Sequence, residues 1–482
     1  MNKRIYQAIS RKIMLAGISV FVLTGCMLGP DYKRPTVETP QAWRFDEKEA
    51  KDLVNTAWWE QFNDPVLNEL VLIALRENKD LMIASASVEE YMGRYGVTRS
   101  ALFPQVSASG EAGRQRISQV DGPSPLSPWV NPNYDFYQVL LSASWELDIW
   151  GKLRRATEAA RADLLSTEEA RRAVVLTLVT SVASGYVTLR DLDKQLEISK
   201  QTAKSREESY KLFQLRFTGG VISELQLSQV KSEYEAALAT IPKIEKSIGQ
   251  QENLISILLG RNPRAIPRGK TIDELVLPSV PAGLPSDLLE RRPDIRQAEQ
   301  NLISANANIG VAKALYFPTI SLTGFLGTSS LSLSDLFSGP SKTWSWAVPI
   351  SFPIFTAGAI EGQVRAAEAI QQQALFQYEK AIQNGFREVD DALIDQNRTR
   401  EQLKAQLRQI DALKAYARLA RVRYENGYTS YVEVLDAERT LFDKELSYTQ
   451  TQDQLFQALV NLYKAMGGGW VVEAENKVAK GQ

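Results

Sequence analysis

Hydrophobic and polar positions alternate along four short stretches of the chain. In the clearest of them, Tyr137–Ile149, every odd position is apolar or aromatic, and every position between them except Leu140 is polar. A similar pattern occurs in Trp344–Ile354, and weaker versions cover Val106–Ala112 and Ile320–Leu326. Alternation over about ten residues, with aromatic residues near the ends, is typical of membrane β-barrel strands. The edge of a soluble β-sandwich would alternate in the same way, but four strands in two hairpins are too few for a sandwich core. The pattern therefore favours a barrel.

Long stretches without proline predict long helices after each pair of strands. The helices form two pairs, each a long outgoing helix and a shorter returning one: about Ala156–Phe217 with Ser223–Leu259, and about Gln363–Tyr424 with Ser430–Met466. Each outgoing helix would extend roughly 90 Å. The reversals contain Gly219, Gly220 and Gly427, which permit the positive φ of a tight reversal, and Pro242 should kink the first returning helix. Ala173–Leu189 carries no charge but several Ser and Thr residues, which indicates a packed helix wall rather than a membrane span.

The chain is internally duplicated. Asp80–Gly110 aligns with Asp294–Gly324 without a gap, and Phe103-Pro104 and Phe317-Pro318 end a helix in each half. The predicted first helices are about Leu67–Leu102 and Ser286–Tyr316, so each half runs helix, strand, strand, long helix, helix. The resulting segments are a leader at 1–25, an N-terminal segment at 26–66, the first repeat at 67–260, a linker at 261–285, the second repeat at 286–467 and a tail at 468–482.

Four strands cannot close a barrel by themselves. Unpaired strand edges in hydrocarbon leave backbone groups unsatisfied, at a cost of several kcal/mol per group. Copies of the chain must therefore share one barrel, with 12 strands from three copies or 8 from two, and the strand pattern leaves both open. The fold class is a mainly α-helical protein with a membrane β-barrel.

The N-terminal leader ends at the single cysteine of the chain, Cys26. A basic start and a short apolar run, Ile13–Val22, precede Leu23-Thr24-Gly25-Cys26, which resembles a bacterial lipobox. Acyl chains on Cys26 would anchor the mature protein, because each buried methylene contributes roughly 0.8 kcal/mol. The alternative is a buried free cysteine near an uncleaved leader. Met27 stands where aspartate commonly retains lipoproteins at the inner membrane, so the resemblance places the anchor in the outer membrane.

Composition argues against several kinds of function. The net charge of −1 gives no electrostatic case for nucleic-acid binding. The chain has no histidine, and lipidation of Cys26 would leave no thiol, so zinc sites, Ser-His-Asp triads and Cys-His pairs are not expected. No cofactor beyond the covalent lipid is expected. An enzyme that uses a carboxylate pair is the weakest hypothesis.

Several motifs then identify a family. The chain contains Leu28-Gly29-Pro30-Asp31-Tyr32-Lys33-Arg34-Pro35 after Cys26, then Trp58-Trp59, Phe62-Asn63-Asp64-Pro65, Arg291-Arg292-Pro293-Asp294-Ile295 and two Arg-(Phe/Tyr)-x-x-Gly turns. In order and content these motifs resemble the outer-membrane factor (TolC-like) family. The similarity is to its lipoprotein branch, which serves resistance-nodulation-division efflux pumps. The resemblance covers nearly the whole chain.

This resemblance implies a homotrimer with a shared 12-stranded barrel and a long α-helical tube that crosses the periplasm. A periplasmic adaptor (membrane fusion) protein and an inner-membrane resistance-nodulation-division pump would dock and open the tube. The expected function is a passive exit duct for small molecules. A channel for type I protein secretion and a periplasm-spanning structural lipoprotein are the alternatives, and the cargo is left open.

The resemblance also assigns site residues. Tyr424, Glu433 and Asp436 match family positions that constrict or line the periplasmic aperture, and the turns at Gly219, Gly220 and Gly427 would contact the adaptor. An arginine and an aspartate of some family members are here Thr429 and Gln226. Glu433 and Asp436 lie three apart on one helix face, where ordinary solvated charges are the alternative.

Overall fold

A computed structural model describes residues 27–37, 57–118, 131–277, 288–468 and 471. The chain divides into two compact units, each drawn from both sequence halves. The first, called the sheet unit, comprises Met1–Pro35, Val88–Ser166 and Ala298–Gln377. The second, called the helical unit, comprises Thr36–Ser87, Thr167–Gln297 and Tyr378–Gln482. The predicted leader and Cys26 lie outside the described residues.

Except for the first helix of each half, the helices match each other in length between the two halves. In chain order they are α1 Pro65–Glu77, α2 Lys79–Ser100, α3 Lys152–Thr218, α4 Glu224–Leu258, α5 Leu288–Arg291, α6 Pro293–Ala314, α7 Ala359–Glu425 and α8 Tyr431–Ala465. The outgoing helices α3 and α7 have 67 residues each, and the returning helices α4 and α8 have 35 each. The four long helices were therefore predicted to within a few residues. Helix α4 continues through Pro242, and the predicted kink there stays a prediction.

The first helix of each half was predicted wrongly as one unbroken element. The backbone leaves the helical region at Asn78, with φ −62° and ψ 132°, and this separates α1 from α2. The Asn78 side chain accepts from Leu81 N at 2.9 Å, a local bond that competes with the helix. In the second half, α5 ends at Arg291 and α6 begins at Pro293. Proline disfavours helical geometry at the residue before it, which explains the break at Arg292.

The strands form one antiparallel sheet, which belongs to the sheet unit. They are β1 Gln105–Arg116, β2 Asn133–Glu146, β3 Thr319–Ser330, β4 Lys342–Ala347 and β5 Ile350–Ser351. The order is β1-β2-β3-β4, with β5 also paired to β3. Strand β2 thus pairs with β3 from the other half, placing Ala143 opposite Gly324. Among the described residues, β1 and β4 each pair with a strand on one side only.

The two clearest predicted strands differ from the observed ones in their boundaries. The strand predicted over Tyr137–Ile149 begins earlier and ends earlier, at Asn133 and Glu146. The strand predicted over Trp344–Ile354 is interrupted after Ala347 and resumes only as Ile350–Ser351. Pro349 lies in the interruption, and proline lacks the N–H that a ladder bond requires.

The core of the helical unit is built on aromatic residues. The fully buried Trp58 stacks on Tyr463 with ring centroids 4.8 Å apart, and Phe62 packs against Phe456 at 5.7 Å. The uncharged stretch Ala173–Leu189 lines this core, which confirms it as a packed helix wall. Among the described residues, α3 is the one helix long and apolar enough to cross a membrane, and 61% of its apolar window is buried.

Asp64 explains the Phe62-Asn63-Asp64-Pro65 motif. Its fully buried carboxylate accepts from Val66 N at 2.9 Å and thereby caps α1. The same carboxylate accepts from the Tyr186 hydroxyl at 2.8 Å and from Lys270 N at 2.9 Å. A Cβ on Gly269 would lie 2.2 Å from Asp64 Oδ1, so this position needs glycine.

Candidate functional site

The two helix reversals have the same backbone geometry. In the first, Val221 N donates to Arg216 O at 2.9 Å and Gly220 has φ +71°. In the second, Tyr428 N donates to Arg423 O at 2.8 Å and Gly427 has φ +77°. Each is a Schellman ending, which places glycine in the left-handed region after the last helical turn.

Gly219 does not share this conformation. Positive φ occurs at Gly220 and Gly427 but not at Gly219, so the first reversal uses the conformational freedom of only one of its two glycines. The second reversal has Asn426 at the corresponding position. The Schellman motif requires only one left-handed residue.

The returning helices begin in different ways. Ser223 and Gln226 form a capping box at the start of α4, in which Ser223 N donates to Gln226 Oε1 at 3.1 Å. Gln226 therefore stabilises the helix terminus. At the start of α8, Ser430 makes no side-chain capping bond, and the Thr429 hydroxyl instead donates to the Glu433 carboxylate.

Tyr424 belongs to an aromatic group that joins the two helical hairpins. This group, called the tip cluster, consists of Phe213, Tyr424 and Tyr431 with Arg216. Phe213 and Tyr431 have ring centroids 4.2 Å apart, and Tyr424 lies 4.9 Å from Tyr431. Arg216 Nη1 donates to the Tyr424 hydroxyl at 3.0 Å. Burial raises the pKa of Tyr431. Tyr424 is consequently half-buried and fixed by contacts from α3 and α8.

Both predicted aperture carboxylates have cationic partners within the chain. Glu433 lies 3.5 Å from Arg423 Nη1, and Asp436 lies 2.9 Å from Arg439 Nη2. The Glu433 side chain is 28% exposed and the Asp436 side chain 52% exposed. Exposed pairs of this kind contribute about 0–1 kcal/mol each. Arg423 and Arg439 nevertheless balance the negative charge of Glu433 and Asp436 at this end of α8.

Sequence reasoning missed Phe213 and Tyr431 and noted Arg216 only as part of a turn motif, although these three residues bring the hairpin ends together. The three-residue spacing of Phe213 and Arg216 places both on one helix face, and this signal was available in the sequence. It also missed a set of apolar side chains that are more than half exposed near the reversals. They are Leu215, Val221, Leu225, Tyr428 and Val432.

The residues after Cys26 are held firmly in the sheet unit, although Cys26 itself lies outside the described residues. The Arg155 side chain, only 2% exposed, pairs with Asp31 at 2.6 Å and donates to Leu28 O at 3.1 Å. Leu28 N donates to Trp150 O at 3.1 Å. A Cβ on Gly29 would lie 2.5 Å from the Cα of Gly310, so the backbones touch there. This explains the glycine of the Leu28–Pro35 motif.

In the part of the chain that the structure describes, no group of three or more His, Cys, Asp or Glu side chains is arranged to hold a metal ion. The features that stand out are an exposed sheet and the paired helix reversals.

The sheet has two chemically distinct faces. On one face lie Val106, Leu141, Leu326, Trp344 and Trp346, which are 45–72% exposed. The opposite face carries mainly polar residues, with Phe136, Leu140 and Phe325 as large apolar exceptions: Ser107, Ser109, Gln138, Ser142, Ser144, Thr323 and Ser345. An exposed apolar face of this kind is expected to contact lipid.

Comparison with known proteins gives consistent matches over most of the chain. The sequence profile described as "Outer membrane efflux protein" matches residues 70–261 and 284–468. The chain is 36% identical to the "Probable efflux pump outer membrane protein TtgC" of Pseudomonas putida, covering 96% of each protein. It is 37% identical to the "Probable outer membrane lipoprotein SilC" of Salmonella typhimurium, covering 95% of this chain and 99% of SilC. The open-state crystal structure of the Neisseria gonorrhoeae MtrE outer membrane channel superimposes with a TM-score of 0.83 at 32% identity, covering 92% of this chain and 99% of MtrE.

Proposed function

Because the chain belongs to the outer membrane efflux protein family, we propose that it is the outer-membrane exit duct of a tripartite efflux pump. Small molecules would pass through it from the cell to the outside without chemical change. It acts as a transport protein rather than an enzyme. The relatives TtgC and MtrE are named as an efflux pump protein and an outer membrane channel, which favours the duct over protein secretion or a scaffold.

The observation that carries this proposal is the two-faced sheet, whose outer strands β1 and β4 are each paired on one side only within the described ranges. Its apolar face suits hydrocarbon, and its polar face suits a water-filled lumen. Strands β1 and β4 need partners, since an open edge in lipid leaves backbone groups unsatisfied. Eight strands enclose an interior that side chains fill, whereas 12 strands leave room for a passage. Three copies therefore fit a duct better than two.

The partners of the duct would dock at the helix reversals. We assign docking of a periplasmic adaptor to the turns at Gly219, Gly220 and Gly427. The exposed apolar side chains beside these turns, such as Val221 and Tyr428, support this assignment because exposed apolar patches mark interaction sites. The adaptor would connect the duct to an inner-membrane pump of the resistance-nodulation-division class.

The aperture would be held closed by contacts within and between the hairpins. Arg216 holds Tyr424, and Arg423 with Thr429 holds Glu433. These contacts are weak enough for a docking partner to replace. In this proposal Thr429 takes over part of the role that an arginine has in some relatives.

Lipidation of Cys26 would fix the N-terminus to the outer membrane. The name of SilC as a lipoprotein and the clamped segment after Cys26 support this assignment. Labelled palmitate should enter the wild-type protein and not a Cys26→Ser variant. Equal labelling of both would contradict it.

Ion conductance in planar lipid bilayers tests the gated duct. The purified wild-type protein should conduct weakly, and Arg423→Gln should conduct several-fold more because Glu433 loses its cationic partner. Arg398→Gln is the matched control, since the Arg398–Glu401 pair is exposed on the same helix and lies away from the tip cluster. It should conduct like the wild type. Absence of current from wild type and from Arg423→Gln alike would contradict the duct.

A further inference from the structure

The apolar core of the helical unit does not run continuously along α3. One apolar cluster includes Val175–Leu189, and a second, smaller cluster begins at Phe213. Most of the buried residues between them on α3 are polar or charged: Arg190, Asp191, Gln195, Ser199 and Arg206. Burying polar groups costs free energy unless they are fully hydrogen-bonded, so this interval calls for a specific explanation.

Polar side chains of α3 and α8 face each other from the end of the first apolar cluster into this interval. They have the same spacing on both helices, namely Thr188, Asp191 and Gln195 on α3 and Gln450, Asp453 and Gln457 on α8. Gln457 Nε2 donates to Thr188 Oγ1 at 3.1 Å and to Asp453 Oδ1 at 2.9 Å. Gln450 Nε2 donates to Gln195 Oε1 at 3.4 Å, and Gln195 Nε2 donates to Asp191 Oδ2 at 2.6 Å. This set of six residues is called the polar ladder.

One oxygen of the polar ladder is left without a donor. Asp191 is only 4% exposed, and its Oδ1 is buried with no hydrogen-bond partner. A buried carboxylate oxygen without a donor is costly. A carboxylic acid O–H at this oxygen would turn the unsatisfied acceptor into a donor.

Nearby cations do not compensate Asp191. Arg190 binds Asp193 and donates to Lys270 O, and Lys194 pairs with Glu197 at 3.1 Å and Asp273 at 3.2 Å. Among the described residues, the charged group that acts on Asp191 is Asp453, which carries the same sign. Two carboxylates without a cation cannot both ionise cheaply.

The pKa values of Asp191 and Asp453 are both raised, as this geometry predicts. Burial, and then the charge of Asp453, raises the pKa of Asp191 to about 7, although the Gln195 amide and the Thr449 side chain oppose the shift. Burial also raises the pKa of Asp453, against the opposing bonds from Gln457 and Thr188.

We propose that Asp191 and Asp453 form a proton-binding site in the helical unit, which holds one proton between α3 and α8 and loosens their packing when that proton is lost. The ligand is the proton itself, and the site lies among residues that the exit-duct proposal does not use. If the proton-site proposal failed, the exit-duct proposal would therefore still stand.

The expected pH dependence follows from the raised pKa values. Above about pH 4 the unfolded chain releases this proton, whereas the folded chain keeps it until about pH 7. Stability should consequently fall as the pH rises from about 4 through about 7 and level off above that. An ordinary ion-paired carboxylate has a lowered pKa in the folded protein, so it would make stability rise with pH instead.

Thermal unfolding of the intact protein in detergent, followed by helix circular dichroism between about pH 5 and 8, tests the site. The wild-type midpoint should fall by several degrees over this range, and Asp191→Asn should abolish most of that fall because the amide stays neutral. Asp443→Asn, at an exposed position of α8, the helix that carries Asp453, is the matched control and should keep the wild-type slope. An unchanged slope in Asp191→Asn overturns the proposal.

Infrared spectroscopy keeps the proposal testable if Asp191→Asn fails to fold. Wild-type protein with ¹³C-labelled aspartate should show a protonated carboxyl band near pH 6 that fades towards pH 8. Absence of that band overturns the proposal. A midpoint that rises with sodium at constant ionic strength, lost in Asp453→Asn, would also overturn it by assigning the site to a metal cation.

Discussion

At the scale of single residues, the two halves use different side chains to satisfy a carbonyl at the end of the returning helix. Asn78 Nδ2 donates to Leu258 O at 2.9 Å, and Arg292 Nη1 donates to Ala465 O at 2.8 Å. Both bonds satisfy a carbonyl at the C-terminus of a returning helix, where intrahelical donors are missing. Asn78 and Arg292 are also the two residues at which the predicted first helices break. The break is therefore what frees each side chain to act as a cap.

The left-handed glycines of the reversals give the residue-scale prediction. Gly427→Ala should lower the free energy of unfolding by about 1 kcal/mol, because alanine is strained at positive φ although no atom crowds its Cβ. Gly249→Ala is the control, since Gly249 lies inside α4 and a Cβ there also meets no atom within 4 Å. That variant should gain about 0.5–1 kcal/mol. Urea unfolding in detergent measures both, and equal signs would contradict the strain argument.

At the scale of elements, alternation fixes which face of each strand meets lipid. Leu141, Leu326 and Trp344 lie side by side across three strands, because the register pairs Leu141 with Leu326 and Leu326 with Trp344. A slip of one residue would turn all three to the polar face. The alternation therefore specifies the register as well as the faces.

Arginine placed on either face of β3 tests this assignment. Leu326→Arg should destabilise the inserted protein by about 2–4 kcal/mol, because the charge would lie in hydrocarbon. Thr323→Arg places the same side chain on the polar face and should insert nearly as well as the wild type. The yield in the outer-membrane fraction measures the difference. Equal loss in both variants would mean that the faces are assigned wrongly.

At the scale of the whole molecule, the two units do not coincide with the two sequence repeats. Each repeat contributes residues to the sheet unit and to the helical unit. Strands from the two halves join through the β2–β3 pairing, and helices from the two halves meet in the tip cluster. Neither half of the sequence is therefore expected to fold alone.

The number of copies in the barrel is the whole-molecule prediction. Cysteines at Ser109 on β1 and Ser345 on β4, joined by a short thiol cross-linker, should link neighbouring copies into a ladder that ends at the trimer. Cys26 is the only native cysteine, and acylation would occupy it. The single variants Ser109→Cys and Ser345→Cys should not form these cross-links, because each carries a cysteine on only one of the two outer strands. A ladder that ends at the dimer would indicate an eight-stranded barrel instead.

The sequence by itself determined the elements whose pattern is long and periodic. The four long helices and the sheet strands follow from proline-free runs and from alternation, which are local properties of the chain. The sequence motifs were sufficient to identify the family by resemblance. The Schellman glycines at positions 220 and 427 were also predictable, because a helix reversal requires a left-handed residue.

Only the tertiary structure decided which distant residues meet. The caps from Asn78 and Arg292, the clamp of Arg155 on Asp31 and the hydrogen bonds of the polar ladder between α3 and α8 each join segments far apart in the chain. No local pattern encodes such contacts, since they depend on how helices pack and in which register. The same reason explains why the sequence did not distinguish Gly219 from Gly220. Gly220 takes the one left-handed position, and only the hydrogen bonds of the reversal show which of two adjacent glycines does so.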